Sequence, residues 1–134
     1  MRIVLAFLFT SFIISETIYI PADYPTIQEG IDIAIDAFNK LQNINISPKV
    51  VSMPCQELFD KQSQEYKEKV IEKNSIKISV EAGSIFGWEK YVGPEGISLG
   101  MKSFGKSAPY KKIYEHFNLT SDDVVKVAKK MLGK

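Results

Sequence analysis

The chain has little cysteine, histidine or arginine, and each shortage excludes or disfavours a class of site. One cysteine, Cys55, excludes an internal disulfide and a cysteine-rich zinc site. One histidine, His116, argues against a histidine-based metal site and leaves a single candidate base for a Ser-His-Asp arrangement. All basic residues except Arg2 are lysines, so the folded body lacks the bidentate guanidinium clamp often used to bind phosphate or carboxylate groups.

The chain also has little net charge. Its 17 Lys and Arg residues nearly balance 16 Asp and Glu residues, and no basic stripe or acidic tail stands out. We therefore do not expect nucleic acid as a partner. The length of 134 residues, of which 45% are apolar, suits one domain whose core needs no metal or disulfide for stability.

Residues 1–15 differ in composition from the rest of the chain. Arg2 precedes an apolar run that continues to Ile14, with only two hydroxyl residues inside it, and Ser15 follows. A basic start, an apolar stretch of about 7–15 residues and a small residue are typical of a secretory signal peptide. The run is shorter than the ~20 residues of a membrane span. We predict a signal-like segment and no stable membrane span, with a buried strand or an apolar helix of the fold as the alternative.

Strands and helices alternate along residues 16–134, which we predict to form a single domain. Short apolar or alternating runs predict strands at 17–20, 46–53, 76–80 and 97–101. Helical spacing of apolar residues predicts helices at 27–41, within 56–71, at 110–117 and at 120–132. This alternation predicts an α/β fold: a doubly wound, mostly parallel sheet of four to five strands with helices on both faces.

Two of the predicted helices carry start signals, and Gly133 suits the end of the last helix. Thr26 to Glu29 and Thr120 to Asp123 each have the hydroxyl and carboxylate spacing of a capping box. The first helix is expected to bury an apolar stripe, made of Ile27, Ile31, Ala34, Ile35, Phe38 and Leu41.

Cys55 and His116 are the obvious candidates for nucleophilic or base chemistry. Cys55 precedes a predicted helix, whose N-terminus lowers a thiol pKa, but no histidine lies nearby in sequence to act as its base. We interpret Cys55 as a small, half-buried residue. His116 lies beside the apolar stripe of a short helix, and we expect it at the surface.

Glu81, Gly83 and Trp88 form a candidate strand-end pocket. Glu81 ends a predicted strand, and open α/β sheets bind ligands at the carboxyl ends of their strands. Gly83 permits close backbone approach. The alternative is that Glu81 caps or hydrogen-bonds the backbone of the following loop and that Trp88 is a packing or interface aromatic. Neither a dinucleotide nor a P-loop fingerprint is present.

Several segments closely resemble the C-terminal domain of transketolase. These segments keep the family order and spacing from about residue 31 to residue 132. One position differs: Gln56 stands where many family members have an aromatic residue. The segments are VVSMPCQELFDKQ at 50–62, VEAG at 80–83, FGWEKYVG at 86–93, MKSFGKSAP at 101–109 and VVKVAKK at 124–130.

This resemblance implies a definite set of expectations. Transketolases are homodimers that use thiamine diphosphate and magnesium to transfer a two-carbon ketol unit between sugar phosphates of the pentose phosphate pathway. Two other domains of the family hold the cofactor, and their motifs do not occur here. The resemblance therefore implies a doubly wound domain that supports a dimer, without autonomous catalysis. It transfers no catalytic, cofactor-binding or metal-binding residue to this chain.

The start of the chain resembles something different. Residues 17–32 are similar to the opening of secreted parallel β-helix proteins, directly after the signal-like segment. The resemblance to transketolase favours the cytoplasm, whereas the first 15 residues favour export. Three interpretations stay open: part of a transketolase that works with its missing domains, a stand-alone ligand-binding or regulatory module, and a secreted, non-enzymatic fusion product.

Overall fold

The computed structural model describes residues 2–7 and 25–134. Four parallel strands form one sheet in the order β2-β1-β3-β4. The strands are β1 Arg2–Phe7, β2 Ser47–Ser52, β3 Ile76–Ser84 and β4 Ile97–Met101. The helices of the described part are α1 Pro25–Gln42, α2 Gln56–Asp60, α3 Gln64–Val70, α4 Glu89–Val92, α5 Tyr110–His116 and α6 Ser121–Met131.

The strand order makes this a doubly wound α/β sheet, as predicted. The chain moves from β1 to β2 in one direction and then returns past β1 to β3 and β4. Parallel crossovers are almost always right-handed. A reversal of direction therefore places α2 and α3 on the opposite face of the sheet from α1.

The main core lies between the sheet and helices α1 and α6. Ile78 and Val80 of β3 point into it, and Val124 and Ala128 of α6 are fully buried against them. On α1 the buried line runs through Ala34, Ala37 and Leu41. Small residues on this line let α1 approach the sheet closely, and burial of this apolar surface is the main source of stability.

The prediction of burial is wrong for Ile35 of the α1 stripe. Ile35 is 48% exposed, although its helical spacing predicts burial. Consecutive residues of a helix are 100° apart, so once Ala34 faces the sheet Ile35 points to the edge of the buried face. The start of α1 also differs: the helix begins at Pro25, so Thr26 lies inside its first turn, and Pro is well suited to that first position.

Helix α6 has the ends that its sequence predicts. The Thr120 hydroxyl accepts from the Asp123 backbone N–H, and the Asp123 carboxylate accepts from the Thr120 backbone N–H, which completes a capping box. At the other end Gly133 adopts φ +67°, and the N–H groups of Gly133 and Lys134 donate to carbonyls of the last turn, those of Lys130 and Lys129. This is a Schellman motif, which requires the left-handed conformation that glycine adopts without strain.

Three of the four strand predictions are confirmed. β2, β3 and β4 occupy the predicted segments, with β3 extending further, to Ser84. The predicted strand at 17–20 lies outside the described residues. Arg2–Phe7 also forms a strand of the sheet, paired with β2 on one side and β3 on the other. This placement agrees with a buried strand of the fold, one of the alternatives to a signal peptide. The signal-like interpretation of residues 1–15 stays a prediction.

Candidate functional site

The carboxyl ends of β2, β3 and β4 lie at one edge of the sheet because the strands are parallel. The loops that follow them, at 53–55, 85–88 and 102–109, therefore meet at this edge. Open α/β folds bind ligands in this position. It is the natural place to look for a site in this protein.

Glu81 and Trp88 contact each other at this edge. The indole N–H of Trp88 donates a hydrogen bond to the Glu81 carboxylate, and a Cβ at Gly83 would lie 3.3 Å from Glu81 Oε1. The structure thus brings together all three residues of the candidate pocket. Burial raises the pKa of the half-buried Glu81 carboxyl, and the hydrogen bond from Trp88 partly opposes that rise.

Trp88 contributes to packing at this edge. Its side chain is only 1% exposed and packs against Met53 in a second core cluster. Its ring makes an edge contact with Tyr91, with centroids 5.8 Å apart. Almost no indole surface is left to contact a ligand. The partner of the Glu81 carboxylate is this indole side chain, whereas the alternative placed the backbone of the following loop in that role. A ligand-binding role for this set stays a prediction.

A polar network beside this cluster joins α2 to α4. The Asp60 carboxylate accepts hydrogen bonds from Lys90 Nζ at 2.6 Å and from the Tyr91 hydroxyl at 3.2 Å. The bond from Lys90 lowers the pKa of Asp60. Burial, together with the nearby Asp60 carboxylate, raises the pKa of Tyr91 to about 12. Tyr91 therefore stays protonated at neutral pH and holds the two helices together as a hydrogen-bond donor.

An open, mainly apolar groove of about 820 Å³ lies at this edge. Phe86 and Phe104 line this groove and are 87% and 97% exposed, respectively. We call it the Phe86–Phe104 groove. Its lining residues are Ser84, Ile85, Phe86, Glu89, Ser98, Met101, Lys102, Ser103 and Phe104. This groove was not predicted from the sequence. The signal that could have indicated it is an aromatic residue directly before glycine in each of two loops that follow strands.

The structure does not combine Cys55 with His116. Cys55 precedes α2, is half-buried, and its thiol donates to Glu57 Oε2 at 3.3 Å. His116 is exposed at the end of α5, and its ring contacts Phe117. Both placements agree with the expectations from sequence, and no nucleophile–base pair forms between these two residues.

The chemistry of the available side chains does not fit a thiamine diphosphate and magnesium site. Within residues 2–7 and 25–134, no three His, Cys, Asp or Glu side chains are grouped so that they could hold a metal ion. The Phe86–Phe104 groove is mainly apolar and carries one acidic and one basic residue, Glu89 and Lys102. A diphosphate bound through magnesium needs clustered oxygen ligands instead. No helix of the described residues is long and apolar enough to cross a membrane.

Comparison with known proteins identifies the fold and its family. Residues 29–120 match the family model described as the transketolase-like TK C-terminal domain. The chain belongs to the transketolase C-terminal domain family. The match runs from the second turn of α1 to the residue before α6 and includes both loops of the Phe86–Phe104 groove.

Individual transketolases agree with this assignment. The chloroplastic transketolase of Solanum tuberosum is 44% identical over 102 residues, which are 75% of this chain and 14% of that protein. Transketolase 1 of Escherichia coli (strain K12) is 42% identical over 103 residues, which are 76% of this chain and 16% of that protein. Among solved structures, transketolase from Leishmania mexicana superposes with a TM-score of 0.74 at 32% identity, covering 97% of this chain and 16% of that one.

The transketolase match therefore concerns one domain of a much longer protein. The chain spans about one seventh of the length of the curated relatives that it matches. The resemblance noted in the sequence is confirmed, as is the doubly wound fold that it implied.

Proposed function

We propose that this chain serves as the C-terminal domain of a transketolase assembly and performs no catalysis by itself. In this role it supports a dimer, while other domains hold thiamine diphosphate and magnesium and transfer the two-carbon unit between sugar phosphates. The observation that carries the proposal is the extent of the match: almost the whole chain corresponds to one sixth of a solved transketolase.

The first experiment measures catalysis directly. The purified chain, supplied with thiamine diphosphate and magnesium, should not convert xylulose 5-phosphate and ribose 5-phosphate. E. coli transketolase 1, assayed in parallel, is the positive control. Turnover by this chain alone, at a rate that scales with its concentration, would contradict the proposal.

The second experiment tests the domain role. The C-terminal domain of E. coli transketolase 1 is replaced by this full chain, which is 42% identical to it over the matched region. The chimera should assemble and show transketolase activity. The control is the E. coli enzyme rejoined to its own domain through the same junction. A chimera that does not assemble while this control does would reject the domain role.

We also propose that residues 1–15 are retained and that the protein acts in the compartment of its partner domains, in line with the cytoplasmic location that the resemblance implies. Cleavage near Ser15 would remove β1, which pairs with both β2 and β3. Loss of a central strand would leave two unpaired sheet edges. Intact-mass analysis of the protein from its host tests this: a species that lacks the first 15 residues would favour export.

The alternative function is a small-ligand module at the strand ends around Glu81 and Gly83. Glu81 does not end β3, as its sequence predicts, but lies three residues before the strand end at Ser84. Its position near the carboxyl edge and its raised pKa favour this alternative. It predicts a saturable ligand in a thermal-shift screen and a loss of that response in Glu81→Ala. A screen without any hit, together with a silent Glu81→Ala variant, would reject it.

A further inference from the structure

We propose that folding and export of this chain exclude each other, because part of its signal-like segment is also a central strand of the sheet. The inference rests on the retention of residues 1–15 proposed above and gives its physical cause. Arg2–Phe7 contains the basic residue and the first part of the apolar run, and the same six residues form β1. A folded chain holds this segment in the sheet, whereas a chain that has not yet folded presents it for export.

Both sides of β1 are used in strand pairing. On one side Arg2–Phe7 pairs with Ser47–Ser52 of β2. On the other side Ile3–Ala6 pairs with Ile76–Ser79 of β3. An export signal is recognised as an accessible apolar run, whereas the backbone groups of a central strand are bonded to both neighbours. One segment therefore cannot be a strand of this sheet and an accessible signal at the same time.

Withdrawal of β1 would divide the sheet. In the order β2-β1-β3-β4 of the described strands, β2 pairs with β1 alone, so it would lose its strand partner. Withdrawal would also uncover β3 at Ile78 and Ser79, which are fully buried and lie opposite Leu5 and Ala6. Core strands open only with global unfolding. The folded protein therefore exposes the segment only in its unfolded fraction, which for proteins in cells is roughly 10⁻³–10⁻⁶.

The order of synthesis provides the time in which the segment is exposed. The partners of β1 on β3 lie at residues 76–79, so β1 cannot be paired on both sides until the chain has been synthesised beyond them. Synthesis at about 5–20 residues per second makes this delay about 4–15 s. Pairing between residues far apart in the chain is itself slow to form. Export therefore competes with folding for each new chain.

Two substitutions with the same chemistry test the inference, and neither changes residues 1–15. Ile78→Asp places a charge at a fully buried position opposite β1 and should prevent folding. Ile35→Asp is the matched control, because Ile35 lies on α1 and is 48% exposed. Circular dichroism of the purified full chains should show that the Ile35 variant is folded and that the Ile78 variant is not. The unmodified chain unfolded in urea provides a second unfolded form.

Import into inverted inner-membrane vesicles of E. coli, supplied with ATP, measures export as protection of the chain from added protease. The native unmodified chain and the Ile35→Asp variant should stay outside the vesicles. The Ile78→Asp variant, and the unmodified chain diluted from urea directly into the vesicles, should be protected at least about tenfold more. Leu5→Arg, added to either unfolded form, should abolish this protection because it interrupts the apolar run.

A delay between dilution from urea and addition of the vesicles gives the second measurement. Trp88 is the only tryptophan and is 1% exposed in a core cluster, so its fluorescence follows folding. Competence for import should decay with the same time constant as the recovery of this fluorescence. Competence that persists after the fluorescence has recovered would overturn the inference.

The remaining outcomes separate the inference from the proposed function. If neither unfolded form is imported, residues 1–15 are not an export signal: the inference fails, while the domain role and the retention of the segment stand. If the native chain is imported as readily as the unfolded one, the inference and the proposed retention both fail. Import that Leu5→Arg leaves unchanged would show that another part of the chain is recognised, and would also overturn the inference.

Discussion

The indole N–H of Trp88 donates a hydrogen bond to the carboxylate of Glu81 and so ties the single turn of α4 to strand β3. The bond lies where regular pairing between β3 and β4 is interrupted, between Val80 and Ser84. Trp88 is a neutral donor, so its hydrogen bond compensates only in part for the hydration that the half-buried carboxylate loses.

We expect Glu81→Gln to stabilise the protein at pH 7. The pKa of Glu81 is higher in the folded chain than its ordinary value of 4.5, so its contribution to stability falls as the pH rises from 4.5 through the folded pKa. Glutamine keeps an acceptor for Trp88 without the charge. The thermal midpoint should rise by about 1–3 °C at pH 7, and the gain should disappear below pH 4.5.

The fluorescence of Trp88, the only tryptophan, reports this unfolding at each pH. The matched control is Glu95→Gln, an exposed residue that should change the thermal midpoint little. A Glu81→Gln variant that is less stable than the unmodified protein at pH 7 would show that the ionised carboxylate is favourable here.

Ser79 and Ser98 should behave as a coupled pair. The Ser79 hydroxyl is fully buried and donates to Ser98 Oγ at 2.8 Å across paired positions of β3 and β4. Each single alanine variant should lose about 1 kcal/mol, because the remaining hydroxyl loses its partner. The double variant should lose clearly less than the sum of the two. Urea unfolding of all four proteins measures this cycle, and strictly additive losses would contradict the coupling.

Gly100→Ala should destabilise the protein, and Gly105→Ala should not. A Cβ at position 100 would lie 2.9 Å from the Gly83 carbonyl oxygen, a backbone atom that cannot move away cheaply. At position 105 the nearest atom would be Met101 Cε at 3.4 Å, the end of a flexible side chain. We expect a loss of about 1–3 kcal/mol for Gly100→Ala and a change within about 0.5 kcal/mol for Gly105→Ala. Equal stabilities in denaturant unfolding would argue against close packing of β4 on the loop after β3.

Thr120→Ala should remove the capping box of α6. The variant loses the acceptor for the Asp123 N–H and should lose about 1 kcal/mol of stability. Thr120→Ser keeps the hydroxyl and serves as the control. Chemical unfolding monitored by circular dichroism measures the difference; equal losses in both variants would indicate that the Thr120 methyl group, rather than the cap, is responsible.

Elements with local signals were predictable from sequence. The ends of α6 follow from a threonine, an aspartate and a glycine at fixed spacing, and all three act as expected. Strands β2 and β4 follow from short apolar runs, which the structure confirms. The one-turn helix α4 was missed because four residues are too few to establish a helical period.

The site was predictable only in part. Glu81 and Trp88 were singled out, and they contact each other. The exposure of Phe86 and Phe104 was not predictable, because aromatic residues in a sequence usually indicate packing, and a loop carries no period that would mark its outward face.

The sequence by itself determined the α/β class, the ends of α6 and membership of the transketolase C-terminal domain family, because these depend on local spacing and on segments that keep their order. The tertiary structure decided that Arg2–Phe7 lies inside the sheet and that Ile35 is exposed. It also decided that Phe86 and Phe104 line one groove. An apolar run has the same composition in a signal peptide and in a central strand. Only pairing between residues far apart in the chain distinguishes the two.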